Sequence, residues 1–369
     1  MIIAINTRHE QLHNDFIIDC FSLIATKYPQ HHFLFIFDKV PDQSPGLPDN
    51  ITRVVTGPKA VSPLRWQYWY NFRIPAILRK YKADVFVSLE GICSMRTKVP
   101  QCLLLHDSSF LNYPVGLPKS HLRFYKKYTA AFLKKAKGLA THSFFSRTVI
   151  ANQYRINEAM IDVIPMSAGT HFQPCSQEEK EKVKNQYTEG KEFFLFAGNI
   201  SAGNNPIELL RAFSFFKKRQ KSNMQLLIIG KPGTTEPAFL QSLKTFKFKN
   251  DVKLPGALHK EEQARIMAAA YAFVYPANFE DFPLHPLEAM ECEVPVITGN
   301  AAPLQEACGS AALYANSADY NDIADKMMLL FKDEQRRSEL IQEGKKRAKE
   351  FSRENTAGKI WQFIAGTIQ

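Results

Sequence analysis

The chain has 369 residues, of which 45% are hydrophobic and 22% are charged. This composition provides for two buried cores of ordinary domain size and excludes an intrinsically disordered chain. Its six cysteines form no C-x-x-C pair, which favours reduced thiols and a cytoplasmic location, and no run of 18 apolar residues offers a membrane-spanning helix.

The positive charge is concentrated in the first part of the chain. The net charge is +11, and residues 1–170 contain 21 Lys and Arg against 11 Asp and Glu. Within this part, the stretches 62–82 and 119–138 combine aromatic residues with Lys and Arg and contain no acid. Such stretches are typical of amphipathic helices at the inner face of a membrane, although a solvated basic face over an aromatic core explains them as well. No nucleic-acid motif accompanies the charge, so nucleic acid is not an expected partner.

Short apolar runs alternate with helical patterns from one end of the chain to the other. Strands buried on both faces have continuous apolar sequences, so the alternation predicts parallel sheets covered by helices. Two series of runs predict two doubly wound, Rossmann-like α/β domains. The runs of the first series are 2–6, 33–37, 84–88, 102–106, 139–143 and 162–165, and those of the second are 193–198, 226–230, 252–256, 273–276, 295–298 and 311–314.

The polar, turn-rich sequence that follows the first series predicts a domain boundary. We assign residues 1–170 to an N-terminal domain and residues 171–350 to a C-terminal domain. Residues 351–369 show a helical pattern, with Ser352 as the predicted N-cap. Trp361 gives this helix an apolar face, which predicts that it packs back on the N-terminal domain.

Polar residues and glycines follow several of the apolar runs. Ligands of open parallel sheets bind beyond the carboxyl ends of the strands, so these residues are candidates for a binding site. They include His106, Asp107, Gly198, Asn199, Gly230 and Glu280. We expect them to converge on one cleft between the two domains.

The stretch "FEDFPLHPLEAM" (279–290) places two glutamates eight positions apart. Pro286 suits the first turn of a helix, so Glu288 is expected in that turn, near unpaired N–H groups that can hold a phosphate. Glu288 could then accept hydrogen bonds from ribose hydroxyls, and Glu280, in the preceding loop, could contact a sugar. The pattern fits a nucleotide-sugar site, but from spacing alone a first-turn glutamate that only stabilises its own helix is the simpler explanation of Glu288.

Residues 279–314 resemble the signature of the retaining glycosyltransferases of family 4, in which two such glutamates lead into "LEAM" and "PVI". Further motifs in the order and spacing of that family extend the resemblance over nearly the whole chain. They are "INTR" (5–8), "LLHDSSF" (104–110), "FLFAGNISAGNNPIELLRAF" (194–213), "DVKLPGALHKEE" (251–262) and "KKRAKEFS" (345–352). The resemblance implies a GT-B fold, with the acceptor bound by the first domain and a nucleotide-diphosphate-sugar substrate by the second. It also implies transfer with retention and without metal or other cofactor.

The resemblance assigns roles to individual residues. Glu280 would contact the donor sugar, Glu288 would hold the ribose, and His106 would contact the sugar near the reaction centre. Taken alone, His106 is better explained as a structural residue. The backbone around Ala257 and Leu258 would flank the base. The other residues assigned to donor binding are Gly198, Asn199, Asn204, Lys231, Phe282, Pro283 and Leu284.

The turn expected to meet the diphosphate departs from the family pattern. Asn199 and Asn204 stand where the family has arginine or a small residue and then lysine. Asparagine donates hydrogen bonds but brings no positive charge to a leaving diphosphate. Pro283 replaces a glycine and removes one backbone N–H. Lys231 and His285 are candidates for a replacement charge, although a solvated side chain is the simpler explanation for each.

A second feature of the same turn is expected to replace part of the missing positive charge. The sequence "NNPIELL" predicts a helix capped by Asn205, with Pro206 first in the helix and Glu208 completing a motif close to a capping box. The N-terminus of this helix is expected to face the cleft and to attract a phosphate.

Two functions therefore remain open from the sequence. The first is a glycosyltransferase of surface polysaccharide synthesis that moves a sugar to a glycan or lipid-linked acceptor. The alternative is a non-catalytic relative that binds a glycan or a partner enzyme through a degenerate donor cleft. The "LEAM" region disfavours an epimerase or phosphorylase, and the lack of G-x-G-x-x-G after the first strand disfavours a nicotinamide dehydrogenase.

Overall fold

The computed structural model describes residues 1–8, 14–40, 46–105, 109–112, 117–230 and 236–368. The chain forms two compact units, one made of residues 1–167 and 352–369 and the other of residues 168–351. Each unit has a parallel β-sheet with helices packed against it. This confirms the predicted class of two doubly wound α/β domains.

The first unit has a seven-stranded sheet in the order β3-β2-β1-β4-β5-β6-β7. The strands are β1 (Ile2–Asn6), β2 (His32–Phe37), β3 (Ile51–Val55), β4 (Val85–Ser88), β5 (Gln101–Leu105), β6 (Gly138–Thr141) and β7 (Ile161–Val163). The sequence analysis missed β3, which lies at the sheet edge and carries Arg53 in its centre. An edge strand is only partly buried, so it lacks the continuous apolar run of the inner strands.

The helices of the first unit are α1 (Asn14–Lys27), α2 (Pro63–Tyr68), α3 (Ile74–Lys80), α4 (Ser109–Asn112), α5 (Lys119–Lys135) and α6 (Phe144–Tyr154). A π-helical turn, Trp69–Arg73, joins α2 to α3, and a 3₁₀ turn, Glu158–Met160, precedes β7. The aromatic residues of α5 face the protein, because Phe124 and Phe132 are buried. Its lysines lie mostly on the solvent side.

The second unit has a six-stranded sheet in the order β10-β9-β8-β11-β12-β13, and all six strands overlap predicted runs. They are β8 (Phe193–Ala197), β9 (Gln225–Ile229), β10 (Val252–Gly256), β11 (Ala272–Tyr275), β12 (Val296–Gly299) and β13 (Ala312–Ala315). The helices are α7 (Gln177–Thr188), α8 (Pro206–Gln220), α9 (Glu236–Lys244), α10 (Lys260–Ala269), α11 (Leu284–Glu291), α12 (Ala302–Cys308), α13 (Tyr320–Lys332) and α14 (Glu334–Glu350). Short 3₁₀ turns occur at Ala202–Asn204, Lys249–Asp251 and Gly309–Ala311.

The last helix, α15 (Arg353–Ile368), is part of the first unit and packs against α1 and the sheet. Ser352 Oγ accepts a hydrogen bond from the backbone N–H of Asn355 at 3.3 Å, which confirms the predicted N-cap. Thr356 donates to the carbonyl of Pro165 at 3.1 Å, and Trp361 stacks on Tyr28 with 4.0 Å between ring centroids. The helix is thus fixed by both polar and aromatic contacts.

Candidate functional site

The strand order of the second sheet reverses between β8 and β11, two neighbours that are not consecutive in the chain. Loops that leave such a pair in opposite directions open a crevice at the carboxyl ends of the strands, where ligands of this fold class bind. Gly198 and Asn199 follow β8, and the segment 276–283 follows β11 before α11 begins. The strand order therefore places several predicted site residues next to one another.

Glycine is required where β8 and β9 end. A Cβ atom on Gly230 would collide with the carbonyl oxygen of Gly198. A Cβ atom on Gly198 would lie 3.2 Å from the ring of Tyr275. The two glycines therefore let the backbones after β8 and β9 pass close to each other and to β11.

Asparagine amides hold the turn after β8 together. Asn204 Nδ2 donates to the carbonyl of Asn199 at 3.0 Å. The amides of Asn205 and Asn278 donate to each other at 2.8 and 3.2 Å, and Asn205 Nδ2 also donates to Pro276 O at 2.9 Å. These bonds tie the turn to the loop after β11. Because asparagine amides are neutral, they bring no positive charge to the turn.

The predicted helix start at this turn is confirmed, but the predicted capping hydrogen bond is absent. Asn205 precedes α8 and Pro206 is its first residue, but the Asn205 side chain makes no capping hydrogen bond. Asn205 has a left-handed backbone, with φ of 51°, and its amide is directed to the loop after β11 instead. Glu208 pairs with Arg211 at 2.8 Å. Contacts between distant segments have replaced the local cap.

Tyr275, the last residue of β11, connects this turn to Glu280. Its fully buried hydroxyl donates to Glu280 Oε1 at 2.5 Å and lies 3.4 Å from Asn204 Oδ1. Burial and the neighbouring Glu280 carboxylate raise the pKa of Tyr275 well above its ordinary value. The phenol therefore remains protonated and holds one carboxylate oxygen of Glu280. The sequence analysis missed this residue, whose signal was a hydroxyl at the end of an otherwise apolar run.

His285 and Glu288 form an ion pair on α11. His285 Nδ1 lies 2.7 Å from Glu288 Oε2, and the Glu288 side chain is almost completely buried. The rings of His285 and Tyr275 also meet at a steep angle, with 5.9 Å between centroids. A continuous series of contacts therefore links Glu280, Tyr275, His285 and Glu288, and it brings the two glutamates of the sequence motif into one site.

The position of Glu288 in its helix differs from the prediction. The helix begins at Leu284, two residues before Pro286, so Glu288 lies in the second turn and not in the first. Pro286 is still tolerated, because the first four N–H groups of a helix have no partner within it. Glu288 is therefore not explained as a first-turn carboxylate that stabilises its own helix.

The charge of His285 depends on its neighbours. Burial lowers its pKa, but the carboxylate of Glu288 and the hydrogen bond to it outweigh this effect. Glu280 adds to the rise and Lys260, at the start of α10, opposes it, and the net result is a raised pKa. The imidazolium form is thus more favoured here than in an ordinary histidine.

The remaining predicted donor residues lie on neighbouring segments or outside the described part. Ala257 is exposed, and the carbonyl of Leu258 accepts a hydrogen bond from Gln263 at 2.7 Å. Phe282 packs edge-on against Phe351, with 5.8 Å between ring centroids. Pro283 and Leu284 are buried. His106, Asp107 and Lys231 lie outside the described residues.

The first unit contains a buried polar cluster that the sequence analysis did not identify. Arg8 donates to Glu90 at 2.9 and 2.6 Å, at the carboxyl edge of β1 and β4. The second oxygen of Glu90 accepts hydrogen bonds from Asn6 at 3.0 Å and from Tyr70 at 2.7 Å. Although burial alone would lower the pKa of Arg8, Glu90 raises it. Arg8 belongs to the "INTR" motif, which gave the only sequence signal for this cluster.

The described ranges offer neither a metal site nor a membrane-spanning helix. They contain no group of three or more His, Cys, Asp or Glu side chains placed to hold a metal ion. Within the same ranges, no helix has both the length and the apolar character needed to cross a lipid bilayer.

Residues 177–347 match the family described as "Glycosyl transferases group 1". O-antigen chain mannosyltransferase B of Escherichia coli is 28% identical over 251 residues, which are 68% of this chain and 66% of that protein. O-antigen chain mannosyltransferase RfbU of Salmonella typhimurium is 25% identical over 73% of this chain and 72% of its own length. The alignments thus span about two thirds to three quarters of these relatives.

Solved structures resemble the whole chain at low sequence identity. Sucrose-phosphate synthase from Thermosynechococcus elongatus has a TM-score of 0.79 at 16% identity and covers 99% of this chain and 98% of its own. WaaG, a glycosyltransferase of lipopolysaccharide biosynthesis, has a TM-score of 0.75 at 13% identity, with 99% and 100% covered. HepE of Anabaena, solved with UDP and glucose, has a TM-score of 0.76 at 15% identity and the same coverage. These neighbours show a GT-B fold, and the family match with the two relatives supports a glycosyltransferase of group 1.

Proposed function

We propose that this protein is a retaining, metal-independent glycosyltransferase, of the kind found in family 4. It moves a sugar from a nucleotide-diphosphate-sugar to a glycan or lipid-linked acceptor in surface polysaccharide synthesis. The bond between the sugar's anomeric carbon and the phosphate oxygen breaks, and the bond to the acceptor oxygen forms on the same face of the sugar. The proton of the acceptor hydroxyl passes to the leaving nucleoside diphosphate. The observation that carries this proposal is the linked cluster of Glu280, Tyr275, His285 and Glu288 at the β8–β11 crevice.

The cluster has the hydrogen-bonding groups that a nucleotide-sugar needs. Glu280, held by Tyr275, presents a carboxylate that can accept hydrogen bonds from sugar hydroxyls. Glu288 Oε2 is taken by His285, and within the described residues Oε1 has no hydrogen-bond partner. We assign this oxygen to a ribose hydroxyl. The names of the two relatives make mannose the first sugar to test.

We propose that the acceptor lies at the cytoplasmic surface of a membrane. Leu64, Tyr68 and Phe72, here called the apolar stripe, are 84%, 43% and 48% exposed and follow one another at intervals of four residues. This spacing places them on one helical face, which the π-helical turn continues. The guanidinium of Arg96 lies 4.1 Å from the ring centroid of Phe72. An apolar face flanked by basic groups fits an anionic lipid surface.

Titration calorimetry tests the donor site. The full chain is titrated without added metal against UDP, GDP and their sugar conjugates, and each titration is repeated on Glu288→Ala. We expect one nucleotide to bind in the micromolar range and the variant to lose most of this affinity. Glu178→Ala, which removes an exposed partner of Lys182 on α7, is the matched control and should bind as the wild type does.

A non-catalytic binding role is the second candidate, and the neutral turn after β8 favours it. Binding of a glycan, with no binding of any nucleotide and no sugar transfer, would support this role and rule out the transferase.

If a nucleotide binds, mixing the protein with the matching sugar donor and an acceptor glycan should yield a product whose anomeric configuration is that of the donor. An inverted product would contradict retention.

A further inference from the structure

A nucleoside diphosphate carries several negative charges, and its phosphates are best held by cations and charged hydrogen bonds. In the described part of the second unit, the β8–β11 crevice presents the carboxylates of Glu280 and Glu288 and a turn of neutral asparagines. The amides of Asn204 and Asn205 already donate within the protein. Positive charge for a diphosphate must therefore come from another element.

His285 is the basic side chain built into the cluster itself. Because Nδ1 is held by Glu288, Nε2 lies on the opposite side of the ring. Within the described residues Nε2 has no hydrogen-bond partner, and the His285 side chain is 32% exposed. The contact with Tyr275 fixes the ring between the two glutamates. The imidazole is therefore oriented by protein contacts on one side and accessible to a ligand on the other.

We propose that His285 binds a phosphate group of the donor through Nε2–H, while Glu288 orients the ring through Nδ1. This inference rests on the proposed function and identifies the residue that supplies positive charge in place of a basic side chain in the turn after β8. Glu288 then has two tasks, because Oε2 holds the imidazole and Oε1 accepts a ribose hydroxyl. The ligand class is a nucleoside diphosphate, free or joined to a sugar.

The groups around His285 determine how this binding depends on pH. Glu288 faces the ring from the same helix, Glu280 and Tyr275 from β11 and the loop after it, and Lys260 from the start of α10. Burial lowers the pKa of His285, the two carboxylates raise it, and Lys260 opposes them, with a net rise. Since the imidazolium form donates from both nitrogens, diphosphate affinity should be complete below this raised pKa and should fall as the pH rises through it.

The test is calorimetric titration of the full chain with GDP and with UDP between about pH 6 and pH 9, where a histidine titrates. His285→Gln keeps a hydrogen-bond donor but loses the charge, so we expect binding about 10- to 100-fold weaker at the acidic end. His285→Lys should recover most of the affinity and lose the pH dependence near neutrality. His171→Gln, which removes an exposed histidine of the same unit, should behave as the wild type does.

A second measurement avoids reliance on variants that fail to fold. In the wild type, the pH-dependent loss of affinity should appear with the diphosphate and be absent with the corresponding nucleoside, which has no phosphate. If the nucleoside shows the same pH dependence, or if His285→Gln binds the diphosphate as tightly as the wild type at every pH, the inference fails while the proposed function stands. If the wild type binds no nucleotide, the proposed function fails first.

Discussion

Tyr275 is the residue on which the geometry of the candidate donor site depends most directly. Its hydroxyl donates to Glu280 at 2.5 Å from a fully buried position, and its ring contacts His285. A hydrogen bond to a charged group contributes roughly 1.5–3 kcal/mol. The phenol therefore favours one orientation of Glu280 over the alternatives that the half-buried loop would allow.

Tyr275→Phe removes this hydrogen bond and keeps the ring. We expect turnover to fall by about 10- to 100-fold, because Glu280 loses its fixed orientation toward the sugar. The affinity for a nucleoside diphosphate without sugar should change much less. Initial rates with the full donor, combined with calorimetry on the bare diphosphate, separate the two effects.

Tyr271→Phe provides the control for this substitution. The Tyr271 hydroxyl donates to the carbonyl of Leu330 at 2.9 Å, so its removal also costs one hydrogen bond in the same unit. We expect a loss of about 1 kcal/mol in the free energy of unfolding and an unchanged turnover. Equal losses of turnover in both variants would mean that the effect of Tyr275 comes from stability and not from the orientation of Glu280.

At the level of elements, the ends of β8 and β9 approach so closely that Gly230 tolerates no side chain. Gly230→Ala would place a Cβ atom against the backbone oxygen of Gly198, which cannot rotate away as a side chain can. We expect the free energy of unfolding to fall by roughly 1–3 kcal/mol or more. Urea denaturation measures this loss.

Gly203→Ala, in the turn after β8, is the matched substitution. Its added Cβ would have Ser201 Oγ as nearest neighbour, at 3.9 Å, so we expect little change in the free energy of unfolding. A loss as large as that of Gly230→Ala would contradict the steric explanation.

The turn between β8 and α8 depends on both the backbone and the amide of Asn205. Asn205→Gly keeps the left-handed conformation but loses the hydrogen bonds to Pro276 and Asn278. Asn205→Ala loses these bonds and also incurs the steric cost of a left-handed backbone, roughly 1 kcal/mol or more. We therefore expect alanine to be less stable than glycine by about that amount in urea denaturation. Equal stabilities would show that the backbone conformation relaxes.

The inner strands could be predicted from sequence because burial on both faces leaves a continuous apolar run, as in "FFLFA" of β8. The edge strand β3 and the role of Asn205 could not be predicted from sequence. The side chain of β3 residue Arg53 breaks the apolar pattern, and the Asn205 amide is directed by Pro276 and Asn278, which lie more than 70 positions away. Local sequence carries no signal for such contacts.

The candidate site was predictable to a similar degree. The motif of two glutamates located Glu280 and Glu288, but the residues that join them, Tyr275 and His285, depend on how the end of β11 packs against α11. The start of α11 at Leu284 is likewise set by packing, because Leu284 and Pro283 are buried. Spacing therefore identified the two carboxylates of the candidate site, but not the contacts by which Tyr275 and His285 join them.

At the scale of the whole molecule, the excess of positive charge and the apolar stripe occur in the same unit. The stretch 62–82 has an apolar stripe that lies open to solvent, whereas the aromatic residues Phe124 and Phe132 of α5 are buried. The two basic stretches thus differ: the first combines charge with exposed apolar surface, and α5 contributes mainly charge. Membrane contact requires both, since either alone gives weak binding.

Replacing Leu64, Tyr68 and Phe72 together by serine removes the apolar stripe and leaves the charge intact. We expect binding to vesicles that contain anionic lipid to weaken by about 100-fold, because each of the three side chains contributes on the order of 1 kcal/mol on insertion. Residual binding should disappear at high salt, where charge attraction is screened. Leu240→Ser, which alters an exposed leucine of the second unit, is the control. Sedimentation with vesicles measures all of these, and a triple variant that binds as tightly as the wild type would exclude the stripe as the contact surface.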